Sequence, residues 1–208
     1  MTAVLIIAAM AIYEPIRTSR KERKDARARV RQSKVIAALG SALAQIEEVT
    51  ALRANEIGLQ AFTIERKWYK RNDRLVRLAR LRFNETQPPS EISWSEGKGV
   101  IGECWRVRRY HEYNFDTNHS HQSIWTEQIW DTLAQDFTMG MSWPEFEQVR
   151  GRYGIIGAFP MVHSETHRLI GVFALDGTPG NYSNLTAGPV RKICASTAAR
   201  IADLFTDE

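Results

Sequence analysis

The sequence is poor in cysteine, and its only two, Cys104 and Cys194, lie far apart in the chain. Secreted domains that depend on disulfides carry several cysteines at short spacings, so this pattern excludes a disulfide framework and fits a reducing compartment. Each cysteine falls on the apolar side of a predicted helix, where a free thiol packs as a small hydrophobic group. We therefore expect both thiols to be buried.

The chain also lacks a long hydrophobic run. Residues 3–13 are uncharged and almost wholly apolar. Extended to Ile16, the run would span only about 20 Å as a helix, against about 30 Å of bilayer hydrocarbon. No basic residue precedes it, so a signal peptide fits poorly. The nine basic residues between 17 and 34 resemble the cytoplasmic flank of an anchor. We predict a membrane anchor at 1–16 and a basic juxtamembrane segment at 17–34, the alternative being a hydrophobic helix that docks on a partner protein.

Outside that segment the chain has little net charge. The formal charge of +4 arises from residues 17–34, where only Glu22 and Asp25 oppose the basic side chains. The basic segment has no interleaved aromatic residues, so we do not expect a nucleic-acid partner. An anionic membrane surface is the simpler partner for residues 1–34, with the remaining domain in the cytoplasm.

Recognisable catalytic sets are missing as well. No serine, histidine and aspartate have spacings typical of a nucleophilic triad. The one metal-like cluster consists of two histidines, His119 and His121, with Asp116 as a carboxylate near them. Because no third firm ligand lies nearby in the sequence, a solvated loop is the preferred interpretation. We therefore predict no metal site, no catalytic residue and no enzymatic activity, and the sequence identifies no cofactor.

A helical pattern begins near residue 30. Val35, Leu39, Ala42, Ile46 and Val49 follow heptad spacing over two repeats. Two interpretations stay open. The seam forms a short coiled coil with a second copy of the chain, or it packs against its own domain.

Alternating patterns then predict two β-hairpins. The first joins a strand from Ile57 to a strand ending at Phe83, and the second joins 155–163 to 169–176. Between them lie a helix after Gly97, a brief strand at 111–116 and two further helices, of which the second opens with the capping box Ser142-Trp143-Pro144-Glu145. An amphipathic helix closes the chain. Hairpins separated by helices indicate an α+β domain with an antiparallel sheet.

The turn before the first of these helices reads Gly97-Lys98-Gly99-Val100-Ile101-Gly102, a G-x-G-x-x-G spacing. A dinucleotide site needs a buried strand before such a motif and a second parallel strand after it. Residues 91–96 do not form a buried strand, and the second strand is missing. The glycines are therefore predicted to form a structural turn.

This motif, followed by Cys104-Trp105, resembles the glycine turn and helix of bacterial GAF domains. The segments Tyr153–Met161 and Leu169–Asp176 are similar to the paired strands of that family, and the long last helix matches its closing helix. The resemblance covers roughly residues 35–206, and we assign 35–208 to a GAF-like domain. It implies an antiparallel sheet of the six-stranded type with flanking helices, and dimerisation through the terminal helices.

The resemblance also implies one small-molecule pocket, with the segment between Asp116 and Tyr153 as its wall. The predicted pocket residues are aromatic or flank that wall: Tyr113, Phe115, Asp116, Trp125, Trp130, Trp143, Tyr153, Phe159, Met161 and Phe173. Each tryptophan can equally be a core residue between helices and sheet. One branch of the family reduces free methionine sulfoxide with pocket cysteines, but this chain has none between 105 and 193.

We therefore expect a membrane-associated sensory or regulatory module that binds a small molecule and signals through a homodimer or a partner protein. A scaffold subunit with a vestigial pocket is the alternative from another class. A small-substrate redox enzyme is the third possibility, and it is the least favoured because the pocket segment lacks cysteine.

Overall fold

The computed structural model describes residues 2–66, 73–83, 90–118 and 125–205. The chain divides into two compact units, Met1–Lys34 and Val35–Glu208. In the first unit, residues 21–30 are all exposed. Among the described residues, no helix combines the length and the apolar character needed to cross a membrane. The predicted transmembrane anchor is therefore not supported, because the apolar run is too short for the bilayer.

The elements alternate between strands and helices as predicted. The strands are β1 (Ile57–Glu65), β2 (Arg74–Arg82), β3 (His111–Asn114), β4 (Ile155–Val162) and β5 (Leu169–Gly177). The longer helices are α1 (Thr2–Thr50), α2 (Gly99–Val107) and α8 (Gly188–Ala202). Between them lie the short helices α3 (Phe115–Asn118), α4 (Glu127–Trp130), α5 (Gln135–Thr138), α6 (Trp143–Glu147) and α7 (Tyr182–Leu185).

The strands form one sheet in the order β2-β1-β5-β4-β3, and every neighbouring pair is antiparallel. The α+β fold class is confirmed. The sheet has five strands in the described part of the chain, not the six that the family resemblance implied. The two hairpins predicted from alternating residues are β1–β2 and β4–β5.

One face of the sheet packs against α8 and the part of α1 that follows Lys34. Leu39 and Ile46 from α1, Ile201 from α8 and Phe173 from β5 all belong to this core and are fully buried. Burying each of these side chains stabilises the fold by about 1.5–3 kcal/mol.

This packing decides between the two interpretations of the heptad seam. Val35, Leu39, Ala42 and Ile46 are each 0% exposed within the core of their own domain, whereas Val49 is 49% exposed. A coiled coil needs the seam to face a second helix. The four buried positions instead fit the second interpretation, in which the seam packs against its own domain.

The opposite face of the sheet carries the second core, which contains residues of α2 and the aromatic residues of α3, α4 and α6. The capping box predicted from Ser142 and Glu145 is present, and the Ser142 N–H donates to Glu145 Oε2 at 3.0 Å. The single predicted helix over Ile129, Trp130, Leu133 and Phe137 is instead two short ones, α4 and α5.

The glycine motif forms a turn, as predicted. Gly97 and Gly99 have φ of +79° and +61°, a region that favours glycine. The Gly97 N–H donates to Gly102 O at 2.8 Å, which closes the turn at the start of α2. A β-carbon at Gly102 would overlap the Ser95 carbonyl oxygen, so the turn also requires a close backbone approach there.

A buried ion pair joins the two outer strands of the β2-β1-β5 region across a glycine. Gly58 on β1 lies in register with Arg82 on β2 and with Asp176 on β5. Because Gly58 has no side chain, Arg82 Nη2 reaches across β1 and donates to Asp176 Oδ1. The side chains of Arg82 and Asp176 are 1% and 3% exposed. A β-carbon at position 58 would overlap the carboxylate.

We predict that Asp176→Ala lowers the free energy of unfolding by about 3–5 kcal/mol, because it leaves the Arg82 guanidinium buried without its counterion. Glu65→Ala is the matched control. It removes a carboxylate from a 2.7 Å ion pair with Arg74 whose side chains are 51% and 39% exposed. We expect it to cost under about 1 kcal/mol. Urea unfolding followed by circular dichroism measures both, and equal losses would contradict the role given to the buried pair.

Candidate functional site

A small cavity lies beside the second core, on the face of the sheet opposite α8, where polar side chains of the sheet meet apolar residues of that core. Its volume is about 40 Å³, which leaves room for a few water-sized groups. The sheet supplies its floor: Gln60, Phe62, Arg77, Ile156, Ala174 and Asp176. The cover comes from Ser90, Trp94, Val100, Ile101, Val149 and Tyr153.

The floor carries a continuous line of polar side chains. Arg77 Nε donates to Gln60 Oε1 at 3.0 Å, and Gln60 Nε2 donates to Asp176 Oδ2 at 3.0 Å. The other oxygen of Asp176 accepts from Arg82. Both carboxylate oxygens are therefore engaged, and the line runs across β2, β1 and β5.

Arg77 is the half-buried member of this line. Its guanidinium lies 5.4 Å from the centre of the Phe62 ring. Burial lowers the pKa of Arg77, and the neighbouring positive charge of Arg80 lowers it further. Within the part of the chain that the structure describes, its one hydrogen bond is to the neutral amide of Gln60. The guanidinium thus lines the cavity without an ion-pair partner there.

Trp94 closes the cavity from above. The Leu75 N–H donates to Trp94 O at 3.0 Å, which fixes the backbone of this segment to β2. The indole packs against Gly99, where a β-carbon would lie 2.6 Å from the ring. Trp94 is 9% exposed, and its buried indole N–H meets no acceptor among the described residues.

Tyr153 covers the ion pair. The Arg82 guanidinium lies 5.4 Å from the centre of the Tyr153 ring. Burial makes the largest contribution to raising the pKa of Tyr153, and the negative charge of Asp176 raises it further. The phenol is therefore neutral near pH 7 and adds no negative charge to the cavity.

The tryptophans of the predicted pocket wall pack mainly on one another. Trp130 stacks on Phe146 with ring centres 4.0 Å apart, and its indole N–H donates to Met141 O at 3.0 Å. Trp125 and Trp143 contact the same pair of rings. Trp130 is only 2% exposed. None of the three tryptophans lines the cavity, so their role in the described structure is that of a core.

Two contacts fix this aromatic group to the glycine turn. Lys98 Nζ lies 2.8 Å from Glu145 Oε1, with side chains that are 24% and 19% exposed. The Gly99 N–H donates to Met139 O at 2.7 Å. The turn before α2 therefore positions both Trp94 and the aromatic group.

The structure separates the predicted site residues into two groups. Tyr113, Phe115 and Tyr153 lie in the second core, on the same face as the tryptophans, and only Tyr153 lines the cavity. The assignment of Phe159, Met161 and Phe173 to the same pocket is wrong. The three belong to the core against α8, because alternate residues of β4 and β5 point to opposite faces of the sheet.

Asp116 is also placed away from the cavity. It is exposed, and its Oδ2 accepts from the Gly180 N–H at 2.8 Å, which joins α3 to the loop after β5. His119 and His121 lie outside the described residues.

Of the residues that line the cavity, the sequence predicted only Tyr153. The missed residues whose polar groups matter most for the site are four: Gln60, Arg77, Trp94 and Asp176. The signal that could have found three of them is a polar side chain at an inward-facing position of a buried strand. No such signal marks Trp94, because the apolar residues around it show neither the period of a strand nor that of a helix.

A second, open groove of about 830 Å³ lies between α2, β3 and α5. Tyr113 lines it, together with side chains of both charges, including Lys98, Glu103, Arg106 and Asp136. Arg106 Nε donates to Glu103 Oε2 at 2.8 Å, so two of these charges compensate each other.

Both cysteines are buried, as expected. Cys104 on α2 and Cys194 on α8 are each 0% exposed and unpaired. Burial raises the pKa of the Cys104 thiol to about 12 and also raises that of Cys194. Neither thiol lines the cavity.

No protein-family model matches the sequence, and no curated protein matches it. Solved structures of similar fold include the GAF domain of an Acinetobacter phosphoenolpyruvate-protein phosphotransferase, with 10% identity, a TM-score of 0.48 and coverage of 86% of this chain and 89% of that one. A GAF domain/HD domain protein from Geobacter sulfurreducens has 12% identity, a TM-score of 0.49 and coverage of 83% and 95%. These likenesses concern the fold, and the predicted α+β architecture with an antiparallel sheet is the one observed here.

The prediction that the chain is not an enzyme is wrong as an exclusion. A type II free methionine-R-sulfoxide reductase from Thermoplasma acidophilum is also similar, with 11% identity, a TM-score of 0.48 and coverage of 84% of this chain and 94% of that one. Enzymes thus occur among the proteins of similar fold, and the absence of a recognisable catalytic set in a sequence does not exclude the class.

We predict that neither cysteine reacts with iodoacetamide in the native protein at pH 8. With its pKa raised to about 12, the Cys104 thiol is about one part in 10⁴ thiolate at that pH, and only the thiolate is nucleophilic. The same protein unfolded in urea is the control, and both thiols should be alkylated there. Intact-mass measurement counts the adducts, and rapid labelling of the folded protein would refute the prediction.

Proposed function

We propose that this GAF-like domain is a sensory or regulatory module that binds a small molecule in the cavity above Gln60 and Arg77. The observation that carries the proposal is a line of hydrogen-bonded polar side chains opening into a small, otherwise apolar cavity. Apolar walls with a few convergent polar groups are typical of small-ligand sites.

The arrangement of the sheet gives a route from this cavity to the helices. Gln60 lies on the cavity floor, whereas its neighbours Leu59 and Ala61 are buried in the core against α8. A ligand that shifts β1 therefore changes the packing of the helices on the opposite face. We propose that the signal leaves through those helices, in a homodimer or to a partner protein.

The small volume of the cavity favours a second candidate. A space of about 40 Å³ is far below the several hundred Å³ typical of drug-sized ligands. In this version the domain is an interaction subunit whose cavity is vestigial, and its surfaces rather than its cavity carry the function.

Filling the cavity tests the first candidate against the second. Ala174 is 3% exposed and lines the floor, so Ala174→Leu places three further carbon atoms in the space. We predict that native mass spectrometry of protein purified from its host detects a small bound molecule in the wild type and not in this variant.

Gln135→Leu is the control, because it introduces the same leucine side chain in the open groove, where Gln135 is exposed, and leaves the cavity unfilled. It should keep the molecule. Loss in the control but not in Ala174→Leu would move the site to the groove. A wild-type protein with no bound molecule would favour the vestigial version.

We further propose that residues 1–34 associate with an anionic membrane surface without spanning it. Lys21, Arg23, Lys24 and Arg27 are exposed along α1. Each basic residue near such a surface contributes about 1 kcal/mol. The apolar run before them would add hydrophobic contact at the interface.

Vesicle sedimentation tests this association. We predict that the full chain sediments with vesicles containing one third phosphatidylserine, and that replacing these four residues with Gln lowers the vesicle affinity at least tenfold at low salt. Raising the salt concentration should weaken binding in the same way. The Gln variant of Arg191 and Lys192, which removes exposed charge from α8, is the control. Equal binding to uncharged vesicles would contradict the proposal.

A further inference from the structure

We propose that the molecule bound in this cavity is a small oxyanion, such as a short carboxylate, held by the guanidinium of Arg77. This inference rests on the proposed binding function and adds the chemical class of the ligand. The carrying observation is a guanidinium on the cavity wall that has no ion-pair partner among the described residues. The same cavity is lined by Trp94, whose buried indole N–H meets no acceptor among those residues.

The charge follows from the way the floor is hydrogen bonded. Among the described residues, Asp176 is the one carboxylate that lines the cavity, and its two oxygens already accept from Arg82 and Gln60. Gln60 in turn gives Arg77 only a neutral amide oxygen. Tyr153 is a neutral phenol near pH 7 because its pKa is raised by burial. The side chains of the cavity therefore leave one guanidinium charge without compensation.

A half-buried cation without a counterion is unfavourable, and an anion in the cavity would relieve the cost. A cationic ligand would be repelled by Arg77. A neutral ligand would leave the charge uncompensated. The cavity chemistry thus selects for one negative charge.

Shape and size narrow the class further. The Nε of Arg77 is used by Gln60, which leaves the two terminal nitrogens of the guanidinium. A planar guanidinium binds carboxylates and similar oxyanions through paired, charge-assisted hydrogen bonds. A volume of about 40 Å³ admits only a few heavy atoms. Formate, acetate and nitrate match these limits, whereas nucleotides do not fit without opening the cover.

Trp94 supplies a second donor. Its indole N–H is buried and meets no acceptor in the described part of the chain, and Trp94 lines the cavity opposite the floor. A buried donor left without a partner costs about 1–3 kcal/mol, so an anion that accepts from it gains affinity. Val100 and Ile101 also line the cavity and provide an apolar wall that limits competition from water.

The experiment is titration calorimetry of the full chain with sodium formate, acetate and nitrate at constant ionic strength, with acetamide as the uncharged analogue of acetate. We expect at least one anion to bind with one site per chain and to raise the melting temperature, and acetamide to have no effect. Binding of acetamide with the same affinity as acetate would overturn the inference.

Two variants assign the site. Arg77→Gln should lower anion affinity at least tenfold, while Arg74→Gln should leave it unchanged. Arg74 is the matched control because it lies on the same strand but is exposed and paired with Glu65. Trp94→Phe keeps a ring against Gly99 and removes the N–H, so it should weaken binding several-fold. If Arg77→Gln fails to fold by circular dichroism, Trp94→Phe decides. If Arg77→Gln folds and binds the anion with unchanged affinity, the assignment of the site to this cavity is refuted. If Arg77→Gln does not fold, unchanged affinity in Trp94→Phe refutes it.

The outcome also separates this inference from the proposed function. If native mass spectrometry finds an uncharged molecule that Ala174→Leu removes, the binding function stands and the anion inference fails. If neither anions nor a native ligand bind, both fail, and the vestigial version is favoured.

Discussion

The domain depends on a salt bridge that crosses a strand. Arg82 and Asp176 meet above Gly58 because that position alone on β1 has no side chain to separate them. Two buried charges are costly unless they are paired and hydrogen bonded. The carboxylate of this pair meets that condition, since Gln60 donates to its second oxygen. The polar floor of the cavity thus starts from an interaction that the three-stranded part of the sheet needs for its own stability.

The second core consists of a packed aromatic group and a cavity that other residues line. In the aromatic group, Trp130 and Phe146 are stacked with ring centres 4.0 Å apart, and neither residue lines the cavity. The cavity lies beside it, where Trp94 and Tyr153 cover the polar floor. A rigid aromatic group next to a small cavity holds the cover in place, which limits the ligands that fit to those of a few atoms.

One fold can host many unrelated functions, so the function of this domain has to be argued from the groups in the site. Here these groups are a guanidinium, an amide and an indole N–H, and the two thiols are buried elsewhere.

Local patterns in the sequence determined the elements of the fold. Period-two alternation located β1, β2, β4 and β5, the glycine spacing located the turn before α2, and the Ser142–Glu145 capping box located α6. These signals depend on neighbouring residues only, so the chain expresses them without its tertiary contacts.

Only the tertiary structure decided which residues share a site. The sheet face of Phe159, Met161 and Phe173, and the partners of Val35 and Leu39, depend on register and on which helix covers which face. Arg77 and Asp176 became neighbours of one cavity because β1 pairs with both of their strands. Contacts between residues far apart in sequence leave no local pattern. For that reason the sequence determined most elements of this protein, and the tertiary structure decided which residues share its cavity.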